Sequence, residues 1–265
     1  MTGAAAAATG IDIARIEEAG LNALQMSRQL FYDGWVLRLS PGKAKRGRSV
    51  TAHFGSTLPL DDKIARCAAV YARHGLPLLF RITPFAHPGT LDVELGARGY
   101  AAYEETRVMA ARLPAAESAA MHAVTAPAGI TAAEVDAGAF ADIVGALRGS
   151  SPQQRDAHRD RLAQSPLAAR FLVLRDGDRP VCAAQVTLEA ELAGVYDVAT
   201  AEDARGRGCA TWACATLLAW SAARGARTAY LQVGADNAPA ISIYRRLGFD
   251  TVYTYHYRAR PEALR

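Results

Sequence analysis

The residues best suited to binding chemistry lie at positions 205–211, where the chain reads RGRGCAT. A strand-like run at 194–200 precedes them, and a run with helical character at 209–224 follows. The first amides of a helix have no intrahelical partner and carry about half a positive charge, so an anion can bind there. The glycines allow close backbone approach, and the arginines add donors. This pattern predicts a phosphate or pyrophosphate site.

Two common phosphate-binding templates do not fit this segment. A P-loop requires a lysine directly after its last glycine, and no lysine follows Gly208. A dinucleotide-binding loop requires a third glycine at the position of Thr211, and it follows the first strand of its domain. Here the loop comes late in its half of the chain, so both templates are excluded.

Two motifs together resemble the GNAT superfamily of N-acetyltransferases. The loop resembles the acetyl-CoA loop of that family through Arg205-x-x-Gly208-x-Ala210. The second motif is Asn237-x-x-Ala240-x-x-x-Tyr244-x-x-x-Gly248-Phe249. They occur in the family's order, separated by one predicted helix and one predicted strand. The resemblance covers about 130–258, and the whole chain looks like a tandem GNAT protein.

The resemblance implies an enzyme that moves an acetyl group from acetyl-CoA to a primary amine by direct attack in a ternary complex. The pyrophosphate would bind the backbone of Arg205, Gly206, Arg207, Gly208, Cys209, Ala210 and Thr211. The pantetheine arm would pair with the strand edge formed by Val198, Ala199 and Thr200. The second motif contributes Asn237, Ala240 and Tyr244. The acceptor is expected to be a small-molecule or peptide amine.

Tyr244 stands where the family has its usual general acid, which protonates the departing thiolate. The alternative is a packing aromatic with a bonded hydroxyl. Asn237 either caps the following helix or bonds the pantetheine. An alkyl amine is mostly protonated at neutral pH, so a carboxylate base would help. The candidates are Glu191 and Asp197, although each also fits an ordinary surface or turn acid.

The chain divides into two unequal parts by composition. We predict a disordered tail at 1–10, a degenerate GNAT-like domain at 11–113, a linker at 114–129 and a catalytic GNAT domain at 130–265. The fold class is α/β, with a mixed central sheet flanked by helices in each domain and diverging strands in the second. The segment 76–113 parallels 228–258, with Gly99 aligned on Gly248, which indicates a duplication; the alternative is a chance agreement of two generic helix–glycine–strand junctions.

The first half lacks the residues that bind the donor in the second. Where a phosphate loop should precede a helix, it reads GSTLPLDD, with Asp61 and Asp62 at the helix start. Acids at that position repel pyrophosphate. Leu95 replaces the tyrosine. We therefore predict that this half binds no acetyl-CoA and shapes the acceptor side.

Composition restricts the remaining possibilities. The 265 residues are 51% hydrophobic with a net charge of +4, and the one dense basic cluster is KAKRGR at 43–48. We interpret this cluster as a solvated loop, with nucleic acid or an acidic protein as the less favoured alternative. Four cysteines without metal-site spacing indicate reduced core residues and no metal. We expect a cytoplasmic protein without membrane contact, either a monomer with pseudo-dimeric halves or a homodimer. A non-catalytic acyl-CoA sensor or scaffold is the alternative function.

Overall fold

The computed structural model describes residues 10–114 and 124–264. Most of the predicted tail and the central part of the predicted linker therefore lie outside the described residues. Seven α-helices lie within this part of the chain: α1 (Ile13–Asn22), α2 (Leu60–Arg73), α3 (Leu91–Ala97), α4 (Ala137–Leu147), α5 (Pro152–Ala163), α6 (Cys209–Ala222) and α7 (Ala238–Arg246). None of these helices has the length and apolarity that crossing a bilayer requires.

Eleven β-strands form the framework of the described chain. They are β1 (Gln29–Tyr32), β2 (Trp35–Arg38), β3 (Val50–Ala52), β4 (Leu79–Ile82), β5 (Ala101–Arg112), β6 (Ile130–Glu134), β7 (Ala168–Asp176), β8 (Arg179–Glu189), β9 (Leu192–Thr200), β10 (Thr228–Gly234) and β11 (Asp250–Ala259). The predicted mixed α/β architecture is confirmed.

All eleven strands belong to one continuous sheet. Their order is β1-β2-β3-β4-β11-β5-β10-β9-β8-β7-β6. Neighbours are antiparallel except for two parallel pairs, β3 with β4 and β9 with β10. These two parallel pairs lie at equivalent places on either side of the central strands β11 and β5. The two halves therefore form a pseudo-symmetric arrangement within a single sheet.

The halves exchange their last strands. β5, the final strand of the first half, pairs with β10 of the second half. β11, the final strand of the chain, lies between β4 and β5 and pairs antiparallel with both. The backbone donors and acceptors of each central strand are thus satisfied by the other half of the chain. Strand pairing crosses the predicted domain boundary, and the domain limits themselves stay a prediction.

Corresponding turns support the predicted duplication. Gly99 follows the end of α3 and has a φ of +81°, and Gly248 follows the end of α7 and has a φ of +86°. Both values lie in the left-handed region, which glycine adopts without a Cβ clash. In each half, a helix, a left-handed glycine and a central strand follow one another.

A buried ion pair of the first half is hydrogen-bonded to the second half next to the central strands. Glu17 of α1 is 1% exposed and pairs with Arg81 of β4, with 3.0 Å between Oε2 and Nη2. The hydroxyl of Tyr253 in β11 donates to the same carboxylate at 2.7 Å. Burial raises the pKa of Glu17, but the charge of Arg81 and hydrogen bonds outweigh burial and lower it. Glu17 therefore stays ionised and satisfied inside the protein.

The strand exchange predicts that neither half folds alone. A C-terminal piece, such as residues 120–265, lacks β5, so β10 loses its antiparallel neighbour and β11 has no partner on either side. We expect this piece to show no cooperative unfolding transition by circular dichroism, and co-expression with residues 1–119 to restore one. A cooperative transition of the isolated piece, equal to that of the full chain, would contradict this expectation.

Candidate active site

The glycine loop before α6 is open to solvent. Gly206 and Gly208 have φ of +78° and +84°, and both are exposed. A Cβ built on Gly206 would meet no atom within 4 Å. Gly208 is the N-cap of α6, and among the described residues no side chain caps this helix. The first amides of α6 are therefore available to an external acceptor, as the sequence pattern predicts.

The strand that leads to this loop diverges from its parallel neighbour. β9 pairs with β10 from Leu192 to Val195 only, opposite residues 228–231 of β10. Beyond that point β9 continues for five residues without a partner on this side. A register shift against β8 and a φ of +52° at Asp197 mark a β-bulge where the divergence begins. The backbone edge at Val198, Ala199 and Thr200 is thereby exposed to a cavity.

One cavity of about 1140 Å³ brings the predicted donor-site residues together. Its lining includes Val198, Ala199, Thr200, Arg205, Gly206, Gly208, Cys209, Ala210, Thr211, Asn237, Ala240 and Tyr244. The two motifs are distant in sequence and meet because α6 and α7 pack into one hydrophobic core with β10. An uncapped helix N-terminus, a free strand edge and a phenol thus line the same cavity.

Tyr244 lies in the wall of this cavity. It is 8% exposed, and its ring packs against Phe249 with 6.1 Å between centroids. The ring is therefore packed, as the alternative interpretation expects, but no described residue forms a hydrogen bond with its hydroxyl. Burial raises the pKa of Tyr244 above that of a free phenol. The hydroxyl therefore stays protonated at neutral pH and can act as a donor.

These features coincide with a family match. Residues 138–249 match the acetyltransferase (GNAT) family. This part of the chain is a GNAT acetyltransferase domain. It contains the glycine loop, the diverging strands and Tyr244.

Relatives extend the likeness to the whole chain. The uncharacterized N-acetyltransferase YobR of Bacillus subtilis strain 168 is 26% identical over 251 residues, 94% of this chain and 99% of that protein. A GCN5-related N-acetyltransferase from Kribbella flavida is 22% identical, with a TM-score of 0.66 over 94% of this chain and 95% of that one. A tandem GNAT protein from the clavulanic acid biosynthesis pathway is 14% identical, with a TM-score of 0.60 over 79% and 74%. At these identities the solved structures show a shared fold.

The two arginines of the GNAT loop have different surroundings. The Arg205 side chain is 68% exposed, and its nearest acid is Glu202 at 3.9 Å. Arg207 forms a 2.7 Å ion pair with Asp176 of β7, and it is not among the residues that line the cavity. Of the two predicted phosphate donors, Arg205 is therefore the one available to a ligand in this conformation.

Asn237 caps a helix at the cavity wall. Its Oδ1 accepts a hydrogen bond from the amide of Ala240 at 3.2 Å, at the start of α7. The sequence left helix capping and pantetheine binding as alternatives. Since Asn237 also lines the cavity, its amide nitrogen can still contact a ligand while its oxygen caps the helix.

Asp197 lies at the cavity but is surrounded by cations. Its carboxylate pairs with Arg148 at 2.7 Å, with Arg161 at 3.3 Å and with the Nε2 of His158 at 3.1 Å, and Gln185 donates to it. Burial raises the pKa of Asp197, but the bond from His158 and the two arginine charges outweigh burial and hold it well below its usual range. So weak a base is unsuited to deprotonating an amine. The structure instead favours a role as counterion.

Glu191, the other base candidate, is separated from the cavity. It lies in the exposed turn between β8 and β9, at the opposite end of β9 from the glycine loop. It does not line the cavity, and its backbone carbonyl accepts hydrogen bonds from the amides of Arg227 and Thr228. The structure therefore does not bring Glu191 together with Tyr244, and it favours the turn acid that the sequence left as the alternative.

Sequence reasoning predicted that the first half shapes the acceptor side, but it did not identify the residues that line the cavity. Ala23, Leu24, Lys43, Ala44 and Arg46 line it from beyond the GNAT domain. Three of these belong to the KAKRGR cluster. The interpretation of this cluster as a solvated loop or edge is wrong for Arg46, whose Nη1 is buried. The cluster's density of positive charge was the available signal. Its position opposite the diverging strands depends on the strand exchange.

The corresponding loop of the first half holds an internal anion. Before α2, the amides of Thr57 and Leu58 donate to the carboxylate of Asp33 at 2.9 and 3.0 Å. Asp61 and Asp62 lie in the first turn of α2, as the sequence indicates, and Leu95 is fully buried. A protein carboxylate thus takes the place that a phosphate would need. This observation supports the prediction that the first half does not bind the donor.

The ion-paired state of Asp197 predicts a stability effect. Asp197→Asn removes the negative charge from a site that is 15% exposed, leaving Arg148 and Arg161 without compensation. We expect the free energy of unfolding in urea to fall by about 3 kcal/mol at pH 7. The control Asp142→Asn, in an exposed pair with Arg159, should change it little.

The same variant predicts a pH dependence. Because the folded-state pKa of Asp197 is depressed, its stabilisation is complete above the ordinary aspartate pKa of about 3.9 and is lost as the pH falls further. The difference in unfolding free energy between wild type and Asp197→Asn should therefore be constant near neutrality and shrink below about pH 4. A difference that shrinks near pH 6 would contradict this account.

Proposed function

We propose that the protein transfers an acetyl group from acetyl-CoA to a primary amine, by direct attack of the amine on the thioester in a ternary complex. Membership of the acetyltransferase (GNAT) family supports acetyl transfer. The observation that carries the finer proposal is the junction of the open α6 N-terminus with the free edge of β9 in one cavity.

The donor binds along two backbone surfaces. The pyrophosphate takes hydrogen bonds from the amides of residues 206–211, where the helix dipole favours negative charge. Arg205 adds a charged donor at the exposed rim. The pantetheine amides pair with the edge at 198–200 as an additional strand would. This course leads the thioester towards the bulge at Asp197 and towards Tyr244.

Proton transfers accompany the attack. The amine nitrogen bonds to the thioester carbonyl carbon, the carbon–sulfur bond breaks, and the thiolate takes a proton from the hydroxyl of Tyr244. The proton lost by the attacking nitrogen returns to Tyr244 through solvent. A tyrosine whose pKa burial keeps high is protonated before each turnover, which suits it to the role of acid.

The charge of the cavity replaces a dedicated base. Lys43, Arg46, Arg148 and Arg161 all line the cavity, and Asp197 is its one described carboxylate. Positive neighbours disfavour a second positive charge, so they lower the pKa of a bound ammonium group. The neutral, nucleophilic amine is thereby favoured without a proton acceptor of the enzyme in contact with it.

Acetyl-CoA and a broad panel of amines test the proposed function directly. Release of free thiol together with a mass increase of the amine by one acetyl group supports it. Tight binding of CoA without acetylation of any amine would overturn it in favour of an acyl-CoA sensor.

Tyr244→Phe tests the acid. We expect kcat to fall by at least about tenfold, because general acid catalysis contributes factors of this size or more. The Kd of CoA, measured by isothermal titration calorimetry, should stay unchanged because phenylalanine keeps the ring that lines the cavity and loses only the hydroxyl. Unchanged kcat at saturating substrates would exclude Tyr244 as the acid. A parallel loss of CoA affinity would indicate a packing role instead.

The two loop arginines provide a matched pair of variants. Arg205→Gln should raise the Kd of CoA about threefold to tenfold, with a weaker salt dependence, because an available phosphate donor is lost. Arg207→Gln should have a smaller effect because Arg207 is already paired with Asp176. Equal effects of the two variants, measured by titration at low and high salt, would contradict this assignment.

A further inference from the structure

We propose that the acceptor amine also carries a carboxylate, which pairs with Arg46 at the end of the cavity formed by the first half of the chain. This inference rests on the proposed function and adds a substrate class to it. It starts from an imbalance of charge and from one buried guanidinium group that no described acid neutralises.

The cavity holds more cations than its own acid can balance. Its positively charged lining residues are Lys43, Arg46, Arg148, Arg161, Arg205 and Arg246. A bound pyrophosphate would neutralise charge at the loop, near Arg205. At the opposite end, Asp197 is already shared between Arg148 and Arg161. Arg46 has no ion pair with any described carboxylate.

Arg46 is directed inward. It lies in a 3₁₀ turn, Lys45–Arg48, that closes the cavity from the first half. Its guanidinium carbon lies 5.7 Å from the ring centroid of Tyr196 in β9. Its Nη1 is buried and has no hydrogen-bond partner, and no other described residue that lines the cavity leaves a side-chain nitrogen in this state. An unpaired buried donor of a charged group is costly, so a ligand acceptor at this point is expected.

Two further arginines lie behind Arg46 and increase the demand for an anion. Burial, followed by the charges of Arg81 and Arg46, lowers the pKa of Arg38 to about 10. Arg38 donates to the carbonyl of Leu21 at 2.9 Å, while its Nε and Nη1 have no partner. Glu17 forms its ion pair with Arg81. Three guanidinium groups in electrostatic contact therefore share one carboxylate, and a second carboxylate from the substrate would improve the balance.

The geometry favours a small carboxylate over the other anions. A nucleic acid backbone cannot reach the Nη1 of Arg46, because this atom is buried between the two halves of the chain. Both lysines of the basic cluster are engaged: Lys45 pairs with Glu104, and Lys43 donates to the carbonyl of Arg148 at 3.3 Å. The unpaired Nη1 on one edge of the guanidinium group suits a planar carboxylate, which needs little space at a buried position.

The first test compares acceptors that differ only in the carboxylate. Three groups of acceptors are assayed with acetyl-CoA: the twenty amino acids and simple dipeptides, the C-terminal amides of the same compounds, and phosphate-bearing amines. We expect the best carboxylate to exceed its own amide in kcat/KM by at least about tenfold, as loss of a charge-assisted hydrogen bond would give. Comparing free amino acids with dipeptides shows whether the carboxylate comes from an amino acid or from a peptide C-terminus. Equal rates for acid and amide, or a preference for phosphate-bearing amines, would overturn the inference while leaving acetyl transfer intact.

The second test assigns the carboxylate to Arg46. Arg46→Gln should raise the KM of the carboxylate acceptor at least about tenfold, abolish the preference over the amide and leave the KM of acetyl-CoA unchanged. The matched control is Lys45→Gln, which removes one positive charge from the neighbouring position, outside the cavity lining. It should retain the preference. An undiminished preference in Arg46→Gln would overturn the assignment.

Binding without turnover separates this inference from the proposed function. N-acetyl amino acids and their amides are titrated against the full-length protein in the presence of CoA, with wild type and both variants. Carboxylate-dependent binding that Arg46→Gln alone weakens supports the inference even where no amine is acetylated. No difference between acid and amide in wild type would overturn it, and this result does not require any variant to fold.

Discussion

Backbone hydrogen bonds between β5 and β11 are the interaction on which the rest of this structure depends. Each of these strands comes last in its own half of the chain, and each is paired with a strand of the other half. The exchange joins the strands of both halves into one sheet, and it thereby fixes the position of each half relative to the other. Because the central strands have neighbours on both sides, no edge remains between the halves to open.

The fixed relation decides the shape and charge of the cavity. The GNAT domain supplies the glycine loop, the diverging strands and Tyr244, while the first half supplies Arg46 and the apolar contacts of Ala23 and Leu24. The buried pair of Glu17 and Arg81 lies beside the exchanged strands and reaches Tyr253 of β11. The first half therefore acts as a wall of the site rather than as a second copy of it.

The two halves contain the same kind of loop before a helix, and a single acid, Asp33, makes the two loops differ in what they can bind. In both, a loop leads from a strand towards a helix. In the first half, Asp33 occupies the loop amides with its own carboxylate. In the second half, the exposed glycines leave those amides open to an external anion. Asp197 illustrates the complementary case, since an acid placed among arginines and a histidine becomes a counterion and loses its value as a base.

The local elements and the residues proposed to bind the donor could be identified from the sequence alone. Glycine spacing, helix-start residues and alternating apolar runs are short-range signals, so they located the glycine loop, Tyr244 and the mixed α/β class. The three-dimensional structure was needed to establish the exchange of β5 and β11, the ion pairs of Asp197, the distance of Glu191 from the cavity and the inward position of Arg46. These depend on contacts between residues far apart in the chain, where a charge pattern does not specify which partner it meets. A basic cluster has the same sequence whether it faces solvent or closes a cavity. Here the packing of the two halves against each other places it at the cavity.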